Sequence, residues 1–198
     1  EDGLVDPERL SDAVFANIFD QGTGAIAELA VVPESAAPLK PANLDFVQAA
    51  SVPMVGLTSW QALKERMQLQ AGQKIFIPAG SGGIGTFAIQ LARHLGATVG
   101  TTTSTGNVEL VQSLGAGEVV DYRKQAFETV LRDYDAVLGT VKGDSVEKSI
   151  GILKPHGKIV SLVWPLDPAF ARHRRLNFVL RMVFMLMSRK IMRMATQR

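Results

Sequence analysis

The stretch from Ile75 to Thr103 constrains the fold of this chain more than any other. It has the pattern of a short apolar strand, a glycine-rich loop, an amphipathic helix and a second strand. Gly80, Gly82 and Gly85 satisfy the spacing G-x-G-x-x-G at the junction of the first strand and the helix. In that setting the first glycine permits a tight turn, the second lets backbone approach a pyrophosphate, and the third lets the helix pack closely on the strand. The pattern predicts a dinucleotide site, and the alternative is an ordinary strand-to-helix turn that binds nothing.

The helix after the glycines has one apolar face. Its apolar residues recur at helical spacing, namely Ile84, Phe87, Ala88, Leu91, Ala92 and Leu95. This spacing predicts a helix over residues 84–95 that packs on a sheet. The free N–H groups at its start would then face the phosphates of a bound anion.

Strands and helices alternate regularly beyond this point. The predicted strands are Lys74–Ile77, Thr98–Thr103, Glu118–Asp121, Asp135–Leu138 and Lys158–Val163. The later predicted helices are Asn107–Leu114, Lys124–Leu131 and Asp144–Leu153. Such alternation implies a parallel sheet with right-handed crossovers, so we expect an α/β fold with a Rossmann-like, doubly wound sheet that has about five of its usual six strands.

The part of the chain before this alternation has weaker patterns. Ala13–Ile18 and Ala25–Val32 have the composition of strands. Asn43 is a plausible N-cap for a short helix that ends at Ala50, and a second helix is predicted to start after Pro53 and to end before Gly72.

The composition is that of an ordinary globular protein, with 46% hydrophobic and 20% charged residues and no cysteine. The absence of cysteine excludes disulfides and thiolate zinc ligands from this chain, and no N-terminal signal pattern is present, so a cytoplasmic location is expected. After Asp167 the chain has eight basic residues and no acid, and apolar residues from Leu176 onward keep helical spacing. The uncharged runs in this segment are too short to span a membrane. A basic helix at a membrane surface, a nucleic-acid module and a helix buried within the protein are the alternatives, of which the buried helix is favoured.

Several short motifs occur together in a characteristic order. They are Gly56-Leu-Thr-Ser-Trp60, Ala79-Gly-Ser-Gly-Gly-Ile-Gly85, Leu114-Gly-Ala116, Val120-Asp-Tyr122 and Leu153-Lys-Pro-His-Gly157. In these motifs the chain resembles the medium-chain dehydrogenase/reductase superfamily, and within it the zinc-independent quinone oxidoreductase (zeta-crystallin-like) branch. The resemblance implies a fragment. Residues 1–53 would be a remnant of the GroES-like catalytic β domain with its connector, and residues 54–198 a dinucleotide-binding domain with a basic amphipathic C-terminal helix.

The resemblance also assigns roles to individual residues. Ser81, Gly82, Gly83 and Ile84 match the loop that holds the cofactor pyrophosphate. Thr58 matches a threonine near the nicotinamide, although its hydroxyl could instead bond its own helix backbone.

Further along the chain, Tyr122 matches a tyrosine beside the adenosine phosphate, and its alternative is a strand-end tyrosine with a solvated hydroxyl. Val141 and Val163 follow the fourth and fifth strands, where backbone lines the nicotinamide in this family; otherwise they are plain core residues.

The choice between NAD and NADP depends on the end of the second strand. A site for NAD places an acid there, about twenty residues after the glycines, to bind the ribose 2′-hydroxyl. This chain has Thr101-Thr-Thr-Ser-Thr-Gly-Asn107 instead, with Thr103, Ser104 and Asn107 as candidate ligands. Hydroxyls without a carboxylate favour a 2′-phosphate, so NADPH is the expected cofactor and NAD the less favoured one.

The chain offers no recognisable metal site. Its three histidines, at positions 94, 156 and 173, have no metal-binding partner at useful spacing, so no zinc and no metal ligands are expected, and catalytic residues are not identified. A quinone or an α,β-unsaturated carbonyl suits a metal-free site because conjugation delocalises the developing charge. The predicted function is zinc-independent, NADPH-dependent hydride transfer to such a small molecule, without nucleic-acid partners or a membrane span and, by resemblance, compatible with a homodimer. The alternative is a non-catalytic dinucleotide-binding or structural module.

Overall fold

The chain divides into two compact units, Glu1–Leu57 and Thr58–Arg198. The computed structural model describes residues 12–19 and 25–163, together with Phe178, Met182, Val183, Met185 and Arg189. The predicted boundary between residues 53 and 54 lies close to this division. That the first unit is a remnant of a GroES-like domain stays a prediction.

The first unit has little regular structure before its helix. The strands predicted at Ala13–Ile18 and Ala25–Val32 are wrong, because the described residues there form a single antiparallel bridge between Val14 and Leu39 and a 3-10 turn at Glu34–Ala36. The backbone N–H of Phe15 donates to the Pro38 carbonyl at 3.2 Å, so residues 13–15 pair with the proline-rich segment and not with the predicted second strand. The apolar side chains that suggested the second strand remain exposed, namely Ile26, Leu29 and Val31.

Helix α1 spans Phe46–Trp60 and begins with a capping box. The Asp45 carboxylate accepts a hydrogen bond from the Gln48 N–H at 2.7 Å, and the Gln48 side-chain oxygen accepts one from the Asp45 N–H at 3.1 Å. The N-cap is therefore Asp45 and not Asn43. The two helices predicted on either side of Pro53 are one helix, which continues through the proline at the cost of one backbone hydrogen bond.

The second unit begins with the end of α1, a π-helical stretch at Gln61–Arg66, and then the alternating strands and helices. The strands are β1 Lys74–Ile77, β2 Thr98–Thr103, β3 Glu118–Asp121, β4 Tyr134–Gly139 and β5 Leu153–Ser161. They form one sheet in the order β3-β2-β1-β4-β5, and every neighbouring pair is parallel. The five-stranded, Rossmann-like α/β fold predicted from the sequence is confirmed.

Four helices connect these strands, namely α2 Gly83–His94, α3 Val108–Ser113, α4 Phe127–Val130 and α5 Ser145–Ile150. The last three are shorter than predicted. The α5 prediction extended to Leu153, but the Ile152 carbonyl accepts from the Tyr134 N–H at 3.0 Å and so already joins the sheet. Strand β5 accordingly starts before Lys158 and contains a bulge, in which His156 has a φ of 65°.

Both faces of the sheet are buried. Ile75 and Ile77 point into a cluster that contains Ala88 and Ile89 of α2. Phe76, on the opposite face, packs in a second cluster with two other rings, Phe127 at 4.7 Å and Tyr134 at 5.8 Å between centroids. Alternating burial on two sides is what a doubly covered parallel sheet requires.

The amino-terminal edge of the sheet holds a buried tyrosine. The Tyr134 hydroxyl donates to the Glu118 carboxylate at 3.0 Å, and the Lys74 ammonium pairs with the same carboxylate at 2.7 Å while lying 4.4 Å from the tyrosine ring centroid. Burial, with the Glu118 charge, raises the pKa of Tyr134 well above its usual range. Gly100 of β2 lies directly above this hydroxyl, since a Cβ at Gly100 would be 1.9 Å from it.

The predicted basic amphipathic C-terminal helix lies almost wholly outside the described residues. Five residues of this segment are described, and each is helical and exposed: Phe178, Met182, Val183, Met185 and Arg189. Within the part of the chain that the structure describes, every helix is too short or too polar to cross a bilayer.

Candidate dinucleotide-binding site

The carboxyl ends of the parallel strands bring most of the predicted site residues to one edge of the sheet. The glycine loop follows β1, the hydroxyl-rich segment Thr103–Asn107 follows β2, Val141 follows β4 and Val163 follows β5. The strand order reverses between β1 and β4, because β2 lies on one side of β1 and β4 on the other. In open α/β sheets this crevice is where ligands bind.

The glycine loop is held by β2. The Ala79 N–H donates to the Thr102 hydroxyl at 3.1 Å, and the Gly80 N–H donates to the Thr102 carbonyl at 2.9 Å. The residue with left-handed backbone is Ala79, at a φ of 55°, whereas the motif assigned the tight turn to Gly80. Thr102 was not singled out from the sequence, because a threonine inside a strand gives no sign that both its hydroxyl and its carbonyl bind a neighbouring loop.

Gly80 and Gly85 are required by close packing. A Cβ on Gly80 would lie 2.2 Å from the Thr101 hydroxyl oxygen, and a Cβ on Gly85 would lie 2.4 Å from the Ala79 carbonyl oxygen. A Cβ on Gly82 would meet a single atom within 4 Å, the Ala79 carbonyl oxygen at 3.3 Å. Apart from this close approach to the Ala79 carbonyl, the space beside Gly82 is free, and a side chain there would partly fill it.

The start of α2 supplies backbone donors next to that space. The Thr86 N–H donates to the Gly82 carbonyl at 2.9 Å, which is the first bond of the helix. The preceding N–H groups, of Gly83, Ile84 and Gly85, consequently have no acceptor within the helix. Gly82 and Gly83 are exposed, Ile84 is half-buried and Gly85 is buried, so the first turn of the helix and the positive end of its dipole are open to an anion at Gly82 and Gly83.

A cluster of hydroxyl and amide groups lies beside the loop. The Thr103 hydroxyl donates to the Ser81 hydroxyl at 2.9 Å. The Asn107 amide lies 3.3 Å from the Ser81 hydroxyl and 3.2 Å from that of Ser104. The structure thus brings together four side chains that the sequence had placed in the cofactor site, and we call Ser81, Thr103, Ser104 and Asn107 the hydroxyl cluster.

One carboxylate at this edge was missed. Asp121 ends β3 and pairs in register with Thr103 of β2. Its carboxylate accepts from the Thr105 hydroxyl at 2.6 Å and from the Arg123 N–H at 3.0 Å, and lies 3.7 Å from the Lys124 ammonium. The Thr105 hydrogen bond above all, against the opposing effect of burial, lowers the pKa of Asp121, so the group is ionised at neutral pH. The sequence directly after β2 contains no acid and so did not predict a carboxylate at this edge, because the carboxylate comes from the neighbouring strand β3.

Tyr122 and the two valines are placed at the expected strand ends. The Tyr122 N–H donates to the Thr103 carbonyl at 3.1 Å, and its side chain is exposed. Val141 is exposed and Val163 half-buried. Thr140, which the sequence had not indicated, donates its hydroxyl to the Pro78 carbonyl at 2.8 Å and ties the end of β4 to the end of β1. The cofactor contacts of these residues stay predictions.

Thr58 lies in α1 and is half-buried. Among the described residues its hydroxyl makes no hydrogen bond, so the alternative of a bond to its own helix backbone is not seen. The neighbouring Ser59 hydroxyl is fully buried and also has no partner there. A role for Thr58 near a nicotinamide remains a prediction.

Sequence comparison identifies the family. Residues 83–195, more than half of the chain, match a family described as zinc-binding dehydrogenase. The chain belongs to the medium-chain dehydrogenase/reductase superfamily. Within residues 12–19 and 25–163 and the five described C-terminal residues, no group of three or more histidine, aspartate or glutamate side chains is arranged to hold a metal ion.

Relatives in this superfamily agree with the fold. The chain is 37% identical over 165 residues to a protein of Arabidopsis thaliana named NADPH-dependent alkenal/one oxidoreductase, chloroplastic, and the match covers 79% of this chain and 42% of that protein. It superposes on the quinone oxidoreductase of Coxiella burnetii with a TM-score of 0.63, at 35% identity over 72% of this chain and 45% of the other.

A second similar structure was solved both alone and with NADPH. The quinone oxidoreductase of Thermus thermophilus gives a TM-score of 0.65 at 32% identity, over 78% of this chain and 52% of the other. The chain therefore spans about 42% to 52% of the length of these medium-chain dehydrogenase/reductase relatives.

Proposed function

We propose that this chain is the nucleotide-binding part of a zinc-independent oxidoreductase that transfers a hydride from NADPH to a quinone or an α,β-unsaturated carbonyl compound. The observation that carries the proposal is the hydroxyl cluster, which lies beside the free N–H groups of α2 and is formed without a carboxylate from β2. Hydroxyl and amide donors suit a phosphate ester better than a ribose diol, which an NAD site binds with an acid.

The described residues fit the cofactor in two regions. Gly82 and Gly83 are exposed at the start of α2, where N–H donors and the helix dipole would stabilise the negative charge of a pyrophosphate. Thr103, Ser104 and Asn107 of the hydroxyl cluster would hold the 2′-phosphate, and Ser81 would contact the pyrophosphate. Tyr122 at the adjacent strand end would lie against the adenosine side. The backbone at Val141 and Val163 would line the nicotinamide at the ends of β4 and β5.

The acceptor class is inferred from chemistry and from relatives. Bound NADPH supplies a hydride, and the acceptor must then delocalise the negative charge that develops on it. Conjugated carbonyls do so without a Lewis acid, whereas alcohol dehydrogenases use zinc held by cysteine and histidine. This chain has no cysteine to contribute, and the relatives compared above are named as alkenal/one or quinone oxidoreductases.

Cofactor preference is tested by placing a carboxylate in the hydroxyl cluster. Asn107→Asp changes one amide into a charge next to Ser81 and Ser104, and should weaken NADPH binding about tenfold, which corresponds to about 1.4 kcal/mol, while NADH binding changes less than about twofold. Dissociation constants from the fluorescence of the bound nicotinamide measure both. Asn43→Asp makes the same chemical change at an exposed residue of the other unit and serves as the matched control. Equal effects on the two cofactors would refute the assignment of the 2′-phosphate.

Turnover distinguishes the proposal from its alternative, a dinucleotide-binding module without catalysis. We expect the full-length protein to consume NADPH with a quinone or an enone, at a rate unaffected by chelators and without stoichiometric zinc in elemental analysis. Saturable NADPH binding without consumption across a panel of both acceptor classes would favour the non-catalytic module.

Location and assembly are the remaining parts of the proposal. A cytoplasmic protein, homodimeric in its full-length form, is consistent with the sequence, but the Arabidopsis relative is named as chloroplastic. Fractionation of tagged cells and the mass of the full-length protein in solution test these two statements separately.

A further inference from the structure

We infer that Asp121 and Thr105 form a clamp that sets the preference of the site for NADPH over NADH, as positioning residues that do not themselves bind the cofactor. This inference rests on the proposed function, because it concerns the 2′-phosphate end of the same site. The clamp is defined by the hydrogen bond from the Thr105 hydroxyl to the Asp121 carboxylate, 2.6 Å long.

The clamp connects two neighbouring strand ends. Asp121 is the last residue of β3 and is directly opposite Thr103, the last residue of β2, so about 4.8 Å separates the two backbones. Thr105 begins the 3-10 turn Thr105–Asn107 that leaves β2. The hydrogen bond therefore fixes the start of this turn to the end of β3.

The turn carries the amide of the hydroxyl cluster. The Asn107 N–H donates to the Ser104 carbonyl at 2.9 Å, and the Asn107 side chain reaches the Ser81 and Ser104 hydroxyls. Because Asn107 is the third residue of a turn that starts at Thr105, the anchor at Asp121 determines where the amide lies. Without the anchor the start of the turn would lose its attachment to β3, and the Asn107 amide would be held less firmly against the Ser81 and Ser104 hydroxyls.

The clamp also keeps a carboxylate from acting on a phosphate. Asp121 is 8% exposed and ionised, and an unscreened negative charge at this edge would repel the 2′-phosphate. Its oxygens are occupied by the Thr105 hydroxyl, the Arg123 N–H and the more distant Lys124 ammonium. These donors and the Lys124 ammonium partly neutralise the carboxylate, which explains how a site without an acid on β2 tolerates one on β3.

The test uses the threonine, which is exposed and can be changed without opening the core. Thr105→Ala should weaken NADPH binding about tenfold and NADH binding less than about twofold, because a 2′-phosphate is present in one cofactor alone. Thr105→Ser keeps the hydroxyl and should restore both constants to within about twofold of the original protein. Thr129→Ala is the matched control, since the Thr129 hydroxyl donates to the Ala126 carbonyl of its own helix, away from this edge.

A double variant separates charge from position. In a Thr105→Ala, Asp121→Asn protein the carboxylate charge is gone, so we expect NADPH affinity to recover at least threefold from that of Thr105→Ala, with melting temperatures recorded for each variant. A purely structural role would lower affinity for both cofactors alike in Thr105→Ala, and that result, or an unchanged ratio of the two constants, would overturn the inference. If the original protein binds neither cofactor, the proposed function itself fails; if it binds NADPH and the ratio does not move, the clamp alone fails.

Discussion

Gly100→Ala tests the packing of the amino-terminal edge of the sheet. The new methyl group would lie 1.9 Å from the Tyr134 hydroxyl oxygen and 2.7 Å from the ring carbon that bears it, which are distances that no packed structure accepts. The ring is fully buried between β-strands and Phe76, so either it or β2 has to move. Overpacking of this kind costs about 1–3 kcal/mol.

The displacement also breaks the hydrogen bond to Glu118. A bond to a charged group contributes about 1.5–3 kcal/mol, and the lower value applies here because the Glu118 side chain is 41% exposed and keeps its ion pair with Lys74. The expected loss for Gly100→Ala is therefore about 2.5–4.5 kcal/mol, or roughly 5–18 °C in Tm for a chain of this size. Urea unfolding followed by circular dichroism measures the free energy, and Gly106→Ala is the control because a Cβ there would meet nothing within 4 Å.

A double-mutant cycle identifies the cause. Tyr134→Phe removes the atom that clashes first, so Gly100→Ala should cost at least about 1 kcal/mol less in the Tyr134→Phe protein than in the original. If the two costs add to within about 0.5 kcal/mol, the tyrosine is not what requires glycine at position 100, and the steric argument is wrong.

Three further predictions concern pH and the glycine loop. Because the pKa of Tyr134 is raised in the folded state, its contribution is complete below about pH 10 and is lost as pH rises further, and Tyr134→Phe should flatten this alkaline slope of the urea midpoint. Burial opposes ionisation of Asp135, but the hydrogen bonds from the Lys154 ammonium and a backbone N–H outweigh it and lower the pKa. The stabilising contribution of this carboxylate should therefore be complete above about pH 4 and be lost as the pH falls further. Asp135→Asn should weaken this acid dependence of the urea midpoint. Gly82→Ala should fold with a Tm near the original but bind NADPH at least about tenfold more weakly. Gly85→Ala should lower the Tm, because its methyl group would lie 2.4 Å from the Ala79 carbonyl oxygen. A thermal melt in which Gly82→Ala loses more Tm than Gly85→Ala would contradict the assigned roles.

The sheet was predictable because each strand carries its own signal. Lys74–Ile77 and Thr98–Thr103 were found with the bounds that the structure has, since buried parallel strands are short runs of apolar or β-branched residues. The prediction of two N-terminal strands was wrong for the converse reason. Ile26 and Val31 have the composition of a strand, but alternation indicates burial only where another layer covers it, and these side chains are exposed.

Contacts between elements were harder to foresee than the elements themselves. The helix through Pro53 was divided in two because proline is a general stop signal, although the Asp45 capping box already marked a single start. The members of the hydroxyl cluster were predicted as site residues because they lie in two recognisable segments. Ser81 is in the glycine loop, and Thr103, Ser104 and Asn107 are at the end of β2 and just after it. Asp121 and Thr102 were not, because their importance comes from strand order, which places the end of β3 and the interior of β2 against segments that are distant in sequence.

The two bonds from Thr102 to the glycine loop have a consequence for binding kinetics. Ala79 and Gly80 are fastened to β2 by the protein alone, so the loop already has its shape when a nucleotide arrives. Little conformational entropy is then lost on association, and encounter is not delayed by a slow ordering step. We therefore expect the dissociation rate of the proposed cofactor to depend on its contacts with the pyrophosphate loop and the hydroxyl cluster, and not on a rearrangement of the glycine loop.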